Sequence, residues 1–233
     1  MLFCRSNLML TLALAGLAGC SDSQAQDTAQ GGFPAVTLNP SKGIEVGFAY
    51  EAFLSPHQEP GDESETPPGT PEAFQSTTAS TDRVDRPSKG HGMVRFTKDL
   101  RYAQVDIAVE GIDPSTINMF HIHCGKPDQL GPIMLDLGIF LDLPEAFADG
   151  ELNFTADFSH IVASLGHSHG GLEGFLSGCP IIQGINDDHK TISGMKYVAA
   201  QGELYFNLHT TGQTYYGDIR GRLHAIELSE IGQ

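Results

Sequence analysis

Residues 102–124 read YAQVDIAVEGIDPSTINMFHIHC. The first nine alternate: Val105, Ile107 and Val109 face one way, and Gln104, Asp106 and Glu110 the other. That is the period of a strand with one buried face. Gly111 to Pro114 is turn chemistry, and Ile117–Cys124 reads as the next strand. Working outward, Ile44–Leu54 is a first strand, and Met93–Phe96 leads into a turn near Lys98-Asp99. Pro132–Leu137 and Leu152–Phe158 are short strands around the Asp149-Gly150 turn, and Ser159–Leu165 fits a single helical turn. Gly202–Thr210 puts Leu204, Phe206 and Leu208 on one face and Tyr205, Asn207 and His209 on the other. Tyr215–Leu228 closes the chain as one further strand. Short strands at turn-punctuated spacing, without a long amphipathic helix, predict an all-β fold: an antiparallel Greek-key sandwich or barrel, immunoglobulin-like or superoxide-dismutase-like.

Two stretches depart from this pattern. Residues 55–90 are dense in Pro, Ser, Thr, Asp and Glu and are expected to be a mobile surface insertion. Residues 166–190, GHSHGGLEGFLSGCPIIQGINDDHK, form a second long loop rich in Gly and His.

Residues 1–20, MLFCRSNLMLTLALAGLAGC, carry one positive charge and an apolar run too short for a resident membrane span. Leu17-Ala18-Gly19-Cys20 resembles a bacterial lipobox. Residues 1–19 are therefore expected to be a lipoprotein signal peptide, removed before Cys20, whose thiol is the nucleophile to be acylated. Residues 20–32 are then a lipidated polar tether, and 33–233 one β domain. The expected location is a lipid-anchored face of the cell membrane or outer membrane, toward periplasm or exterior. The partner is the lipid bilayer, through Cys20. With 13 basic and 29 acidic residues, net −16, the chain is a poor match for nucleic acid or for electrostatic docking on anionic lipid.

Of the four cysteines, Cys124 and Cys179 remain in the domain. In an exported chain the pair is expected to form a disulfide, closing a loop of about 55 residues and worth roughly 4 kcal/mol in chain-entropy models. The alternative is Cys124 as a metal ligand.

His121-Ile122-His123 places two imidazoles on one strand face, a half-site for copper, zinc or iron. His209 is a third imidazole if its strand neighbours theirs, and three neutral imidazoles with an open position suit copper or catalytic zinc. His167 and His169 could join the same centre, form another, or be solvated. His57, His91, His160, His189 and His224 carry no spacing signal, and Asp136 and Asp142 are expected by chance in so acidic a chain. Arg220 and Arg222 share a strand face and suit an internal ion pair. No Gly-x-Ser-x-Gly or phosphate-cradling motif is present.

Phe120-His121-Ile122-His123-Cys124-Gly125, Gly131-Pro132-Ile133, Gly202 through Thr210, and Gly217-Asp218-Ile219-Arg220-Gly221-Arg222-Leu223 together resemble the CHRD domain, named after chordin and found in many exported bacterial proteins. The resemblance runs from about residue 44 to 227 and implies a β sandwich without a fixed activity. In layout the chain is also similar to copper–zinc superoxide dismutases. Two functions follow as expectations: a metal-binding CHRD lipoprotein, copper before zinc, with redox or superoxide chemistry as its enzymatic extension; or a non-enzymatic surface module for a protein or glycan.

Overall fold

The computed structural model describes residues 43–60, 66–126, 129–166 and 191–231. Nine strands form two antiparallel sheets. In chain order they are β1 (Val46–Leu54), β2 (Lys89–Thr97), β3 (Ala103–Glu110), β4 (Ile117–Cys124), β5 (Ile133–Asp136), β6 (Glu151–Ala156), β7 (Leu204–Thr210), β8 (Ile219–Arg222) and β9 (His224–Ile226). The larger sheet is ordered β6-β3-β2-β1-β9 and the smaller β5-β4-β7-β8. Val94, Val105 and Ile107 of the larger sheet and Phe120, Ile122, Phe206 and Leu208 of the smaller join one buried core. The all-β sandwich expected from the alternation is what the chain forms.

Several elements differ from the sequence reading, each for a local reason. β2 is nine residues long, because Gly90 and Gly92 do not interrupt it. A Cβ at Gly92 would press on the Phe206 ring, so the glycine marks a close approach of the two sheets. Tyr215–Leu228 is not one strand. β8 pairs with β7 and β9 with β1, so the chain changes sheet at buried Leu223, whose N–H donates to the Leu204 carbonyl.

The described residues also form helices α1 (Leu143–Ala146), α2 (Phe158–Gly166) and α3 (Ile192–Ala200), besides short 3-10 turns. The single turn expected at 159–165 is nine residues of helix. The N-cap residue Thr191 starts α3, its hydroxyl accepting from the Gly194 N–H at 3.0 Å, and Ile192, Met195, Val198 and Ala199 are buried at helical spacing.

Within the 55–90 stretch, residues 66–88 are hydrogen-bonded to the β7–β8 connection. The Thr77 and Thr78 N–H groups donate to Thr211 O at 2.9 and 3.2 Å. Gln213 Nε2 donates to Thr81 O at 3.0 Å, and Arg86 Nη1 to Asp218 O at 2.8 Å. This strap, with buried Phe74, lies against the connection that follows β7. Cys20, His167, His169 and Cys179 lie outside the described residues.

Candidate metal centre

A strand of a two-sheet sandwich ordinarily turns alternate residues to solvent. β7 does not: all seven of its residues are buried. Its inward residues Leu204, Phe206 and Leu208 meet the core. Its outward residues Tyr205, Asn207 and His209 are 1%, 1% and 4% exposed. The outer face of the small sheet is therefore a covered polar layer, and the three strand histidines sit in it.

β4 and β7 are neighbours, with Met119 opposite His209, His121 opposite Asn207, and His123 opposite Tyr205. Residues of equal parity share a face, so His121, His123 and His209 converge. One ligand nitrogen from each lies within 4.8 Å of the others. The His121 ring stands 5.1 Å from both His123 and His209, centroid to centroid.

Two of the rings are held in a defined tautomer. His123 Nδ1 lies 2.8 Å from Gly131 O, and His209 Nδ1 lies 2.9 Å from Thr214 O. A carbonyl only accepts, so Nδ1 carries a proton in both rings, which in a neutral ring places the lone pair on Nε2. This second hydrogen bond is the usual support of a ligating imidazole. His121 Nε2 stands 3.5 Å from Asp136 Oδ1, across the β4–β5 register. Asp136, read from sequence as a chance carboxylate, is 1% exposed and places its carboxyl group beside the triad. Asp142 is elsewhere, accepting from Glu145 N–H at the start of α1.

The Gly131-Pro132 motif has a defined task. Gly131 O orients His123, and Gly131 N–H donates to Tyr205 Oη at 2.9 Å. Tyr205 stacks on His123 with ring centroids 5.1 Å apart and an interplanar angle of 5°. Arg220 lies over the Tyr205 ring at 3.5 Å and donates to Gln129 O at 2.9 Å and Lys126 O at 3.3 Å. The expected shared role for Arg220 and Arg222 gives way to two different ones. Arg220 is buried and holds the Lys126 and Gln129 carbonyls, whereas Arg222 is exposed and donates to Gly202 O. Among the other histidines, His91 stacks on Phe53 and His160 pairs with Asp157, both away from the triad.

Glu59 is 3% exposed, and its carboxyl oxygens have no hydrogen-bond partner among the described residues. Burial raises its pKa well above the carboxylate range, against the opposing pull of Arg220, Arg86 and Arg83. The sign of the consequence is fixed. A carboxyl whose folded pKa is raised contributes stability that is full below its unfolded pKa and lost as pH rises through the folded value. Urea midpoints of the wild type are therefore expected to fall as pH rises from about 4 through that value, and Glu59→Gln to remove that component. Equal pH profiles for the two proteins would reject this account.

A family model described as the CHRD domain matches residues 72–223. No curated protein and no solved structure matches the chain. The matched span begins in the strap, contains the three histidines, Gly131 and Arg220, and covers more than half of the sequence. The chain belongs to the CHRD domain family.

Proposed function

We propose that this is an exported CHRD-domain protein, lipid-anchored through Cys20, whose His121, His123 and His209 hold one transition-metal ion, copper before zinc. The observation that carries the reading is the convergence of three buried imidazoles within 4.8 Å, two of them oriented by Nδ1–H bonds to carbonyls. Three buried imidazoles gathered within 4.8 Å are a costly way to stabilise a sheet but, in their neutral form, a good donor set for copper or zinc. Asp136 offsets part of the positive charge such an ion brings into a buried layer.

A copper ion held there supplies one-electron chemistry. The chain's part is to fix the two tautomers, to orient His121 beside Asp136, and to shield the imidazoles with a covered face. His167 and His169 are proposed as outer contributors to the same centre. A Cys124–Cys179 disulfide, suited to an oxidising compartment, would bring their loop to the end of β4.

One experiment tests the whole reading. The full chain expressed in a bacterium is expected in the membrane fraction. After detergent extraction and loading it is expected to hold about one copper or zinc ion per chain. His121→Ala combined with His209→Ala is expected to abolish that uptake, as judged by elemental analysis and calorimetry. Recovery only in the soluble fraction would overturn the anchor. Unchanged uptake by the double variant would overturn the centre. Loss of superoxide with the loaded wild type but not the double variant would make the centre catalytic; its absence leaves a metal-holding binding module.

A further inference from the structure

Three imidazoles are one short of a four-ligand set, and the same strand face carries a further donor atom. Met119 precedes His121 by two residues on β4, so its side chain leaves the sheet on the histidine side. Its Cα is paired with that of His209 in the β4–β7 register. At directly opposed positions the Cβ atoms stand roughly 4.5–5.5 Å apart. Met119 is 8% exposed, yet it does not belong to the core cluster that takes Phe120, Ile122 and Cys124 from the same strand. It is thus a buried thioether outside the main core cluster. The β4–β7 register shifts between Ile117 and Met119, immediately before it. Irregularities of this kind commonly re-aim a side chain beside a functional site.

Resting on the metal-centre reading, we infer that Met119 Sδ is a fourth ligand and that it makes this a copper site, selecting Cu(I) against Zn(II). A thioether is neutral and soft. It adds to Cu(I) binding, whereas zinc sites are built from thiolate, imidazole and carboxylate. Three neutral imidazoles and a thioether also suit a monovalent ion in a buried layer, because burying charge costs steeply more as the charge grows. The three rotatable bonds of methionine let sulfur meet the ion without moving the strand. Sequence spacing alone hides this role, because a lone methionine in an apolar run reads as core.

The test compares wild-type protein, extracted in detergent, with Met119→Leu, which keeps apolarity and nearly the same volume but removes the sulfur. Cu(I) is titrated against bathocuproine disulfonate and Zn(II) against a chromophoric chelator. Met119→Leu is expected to bind Cu(I) about tenfold more weakly or worse, with Zn(II) affinity unchanged. The copper K-edge EXAFS of the wild type is expected to show a sulfur shell, and selenomethionine labelling to convert it to selenium. That conversion separates methionine from Cys124, and it decides the matter without the leucine variant should that variant fold poorly. Unchanged Cu(I) binding by Met119→Leu, equal losses for both ions, or no sulfur shell overturns this inference and leaves the three-histidine centre standing. Failure of the wild type to bind either ion overturns both.

Discussion

Gly131→Ala is expected to cost more than about 4 kcal/mol and to end metal uptake, an effect at the far tail for a single added methyl group. A Cβ at this position would fall on the carbonyl oxygen of Cys124. The Cys124 backbone cannot give way cheaply, because its N–H donates to Pro132 O at 3.0 Å and the next N–H, of Gly125, donates to Glu203 O at 2.7 Å. Gly131 cannot give way cheaply either. Moving it withdraws the acceptor of His123 Nδ1–H and the donor to Tyr205 Oη together. Both relaxation routes therefore spoil the centre, and the strained route spoils the fold. Denaturant unfolding should show the loss directly, and melting should fall by about 8 °C or more for a domain of this size. A Gly131→Ala protein within about 1 kcal/mol of wild type, still taking up copper, would show that the loop repacks freely and that Gly131 O does not set the His123 tautomer.

That dependence also explains which parts of the molecule could be read in advance. The strands around residues 102–124 were legible because one-face burial leaves a period of two in the sequence. Alternation says that two faces differ in polarity; it does not say which face is covered. Tyr205, Asn207 and His209 read as an outward polar row, and they are outward, but they are buried. What lies against the nearby β7–β8 connection is the strap at 66–88. Phe74 is its buried hydrophobic residue, and it holds on largely through backbone and hydroxyl groups such as Thr77 N–H and Ser76 Oγ. Hydropathy has no term for such a segment. The change of sheet at Leu223 was equally hidden, since the local period continues across it while the partner changes. Helix α3 follows a glycine-rich stretch and carries Gly194 within it, which dilutes its signal despite the Thr191 cap. In the site, the spacing of His121 and His123 was local and readable. Their meeting with His209 required that β4 and β7 be neighbours, a long-range fact that three separated histidines made reasonable. Asp136 had no such mark in an acidic chain, and only its register opposite His121 reveals it.

Arg220→Ala is expected to cost about 3–5 kcal/mol, the range for removing one member of a buried charged network, and to weaken metal binding although Arg220 contacts none of the imidazoles directly. Arg220 is 4% exposed and serves four neighbours at once: the Tyr205 ring beneath it, the Gln129 and Lys126 carbonyls, and Glu59, whose pKa it pulls down. Alanine leaves the two carbonyls without this donor and loosens Gln129, two residues before Gly131. It also uncovers the Tyr205 ring, which is stacked on His123. Loss at Arg220 thus reaches the candidate metal centre by two routes, through Gln129 to Gly131 O and through the ring to His123. Arg220→Lys keeps the charge but lacks both the planar stack and the forked donors, so it should recover only a minor part of either property. Unfolding free energy and Cu(I) affinity measured on the same two variants separate the routes from simple instability. A loss of stability with copper affinity intact would show that the Arg220–Tyr205–His123 stack supports the sheet without orienting the ligand. The expected result is that both fall together, with Arg220→Lys closer to alanine than to wild type.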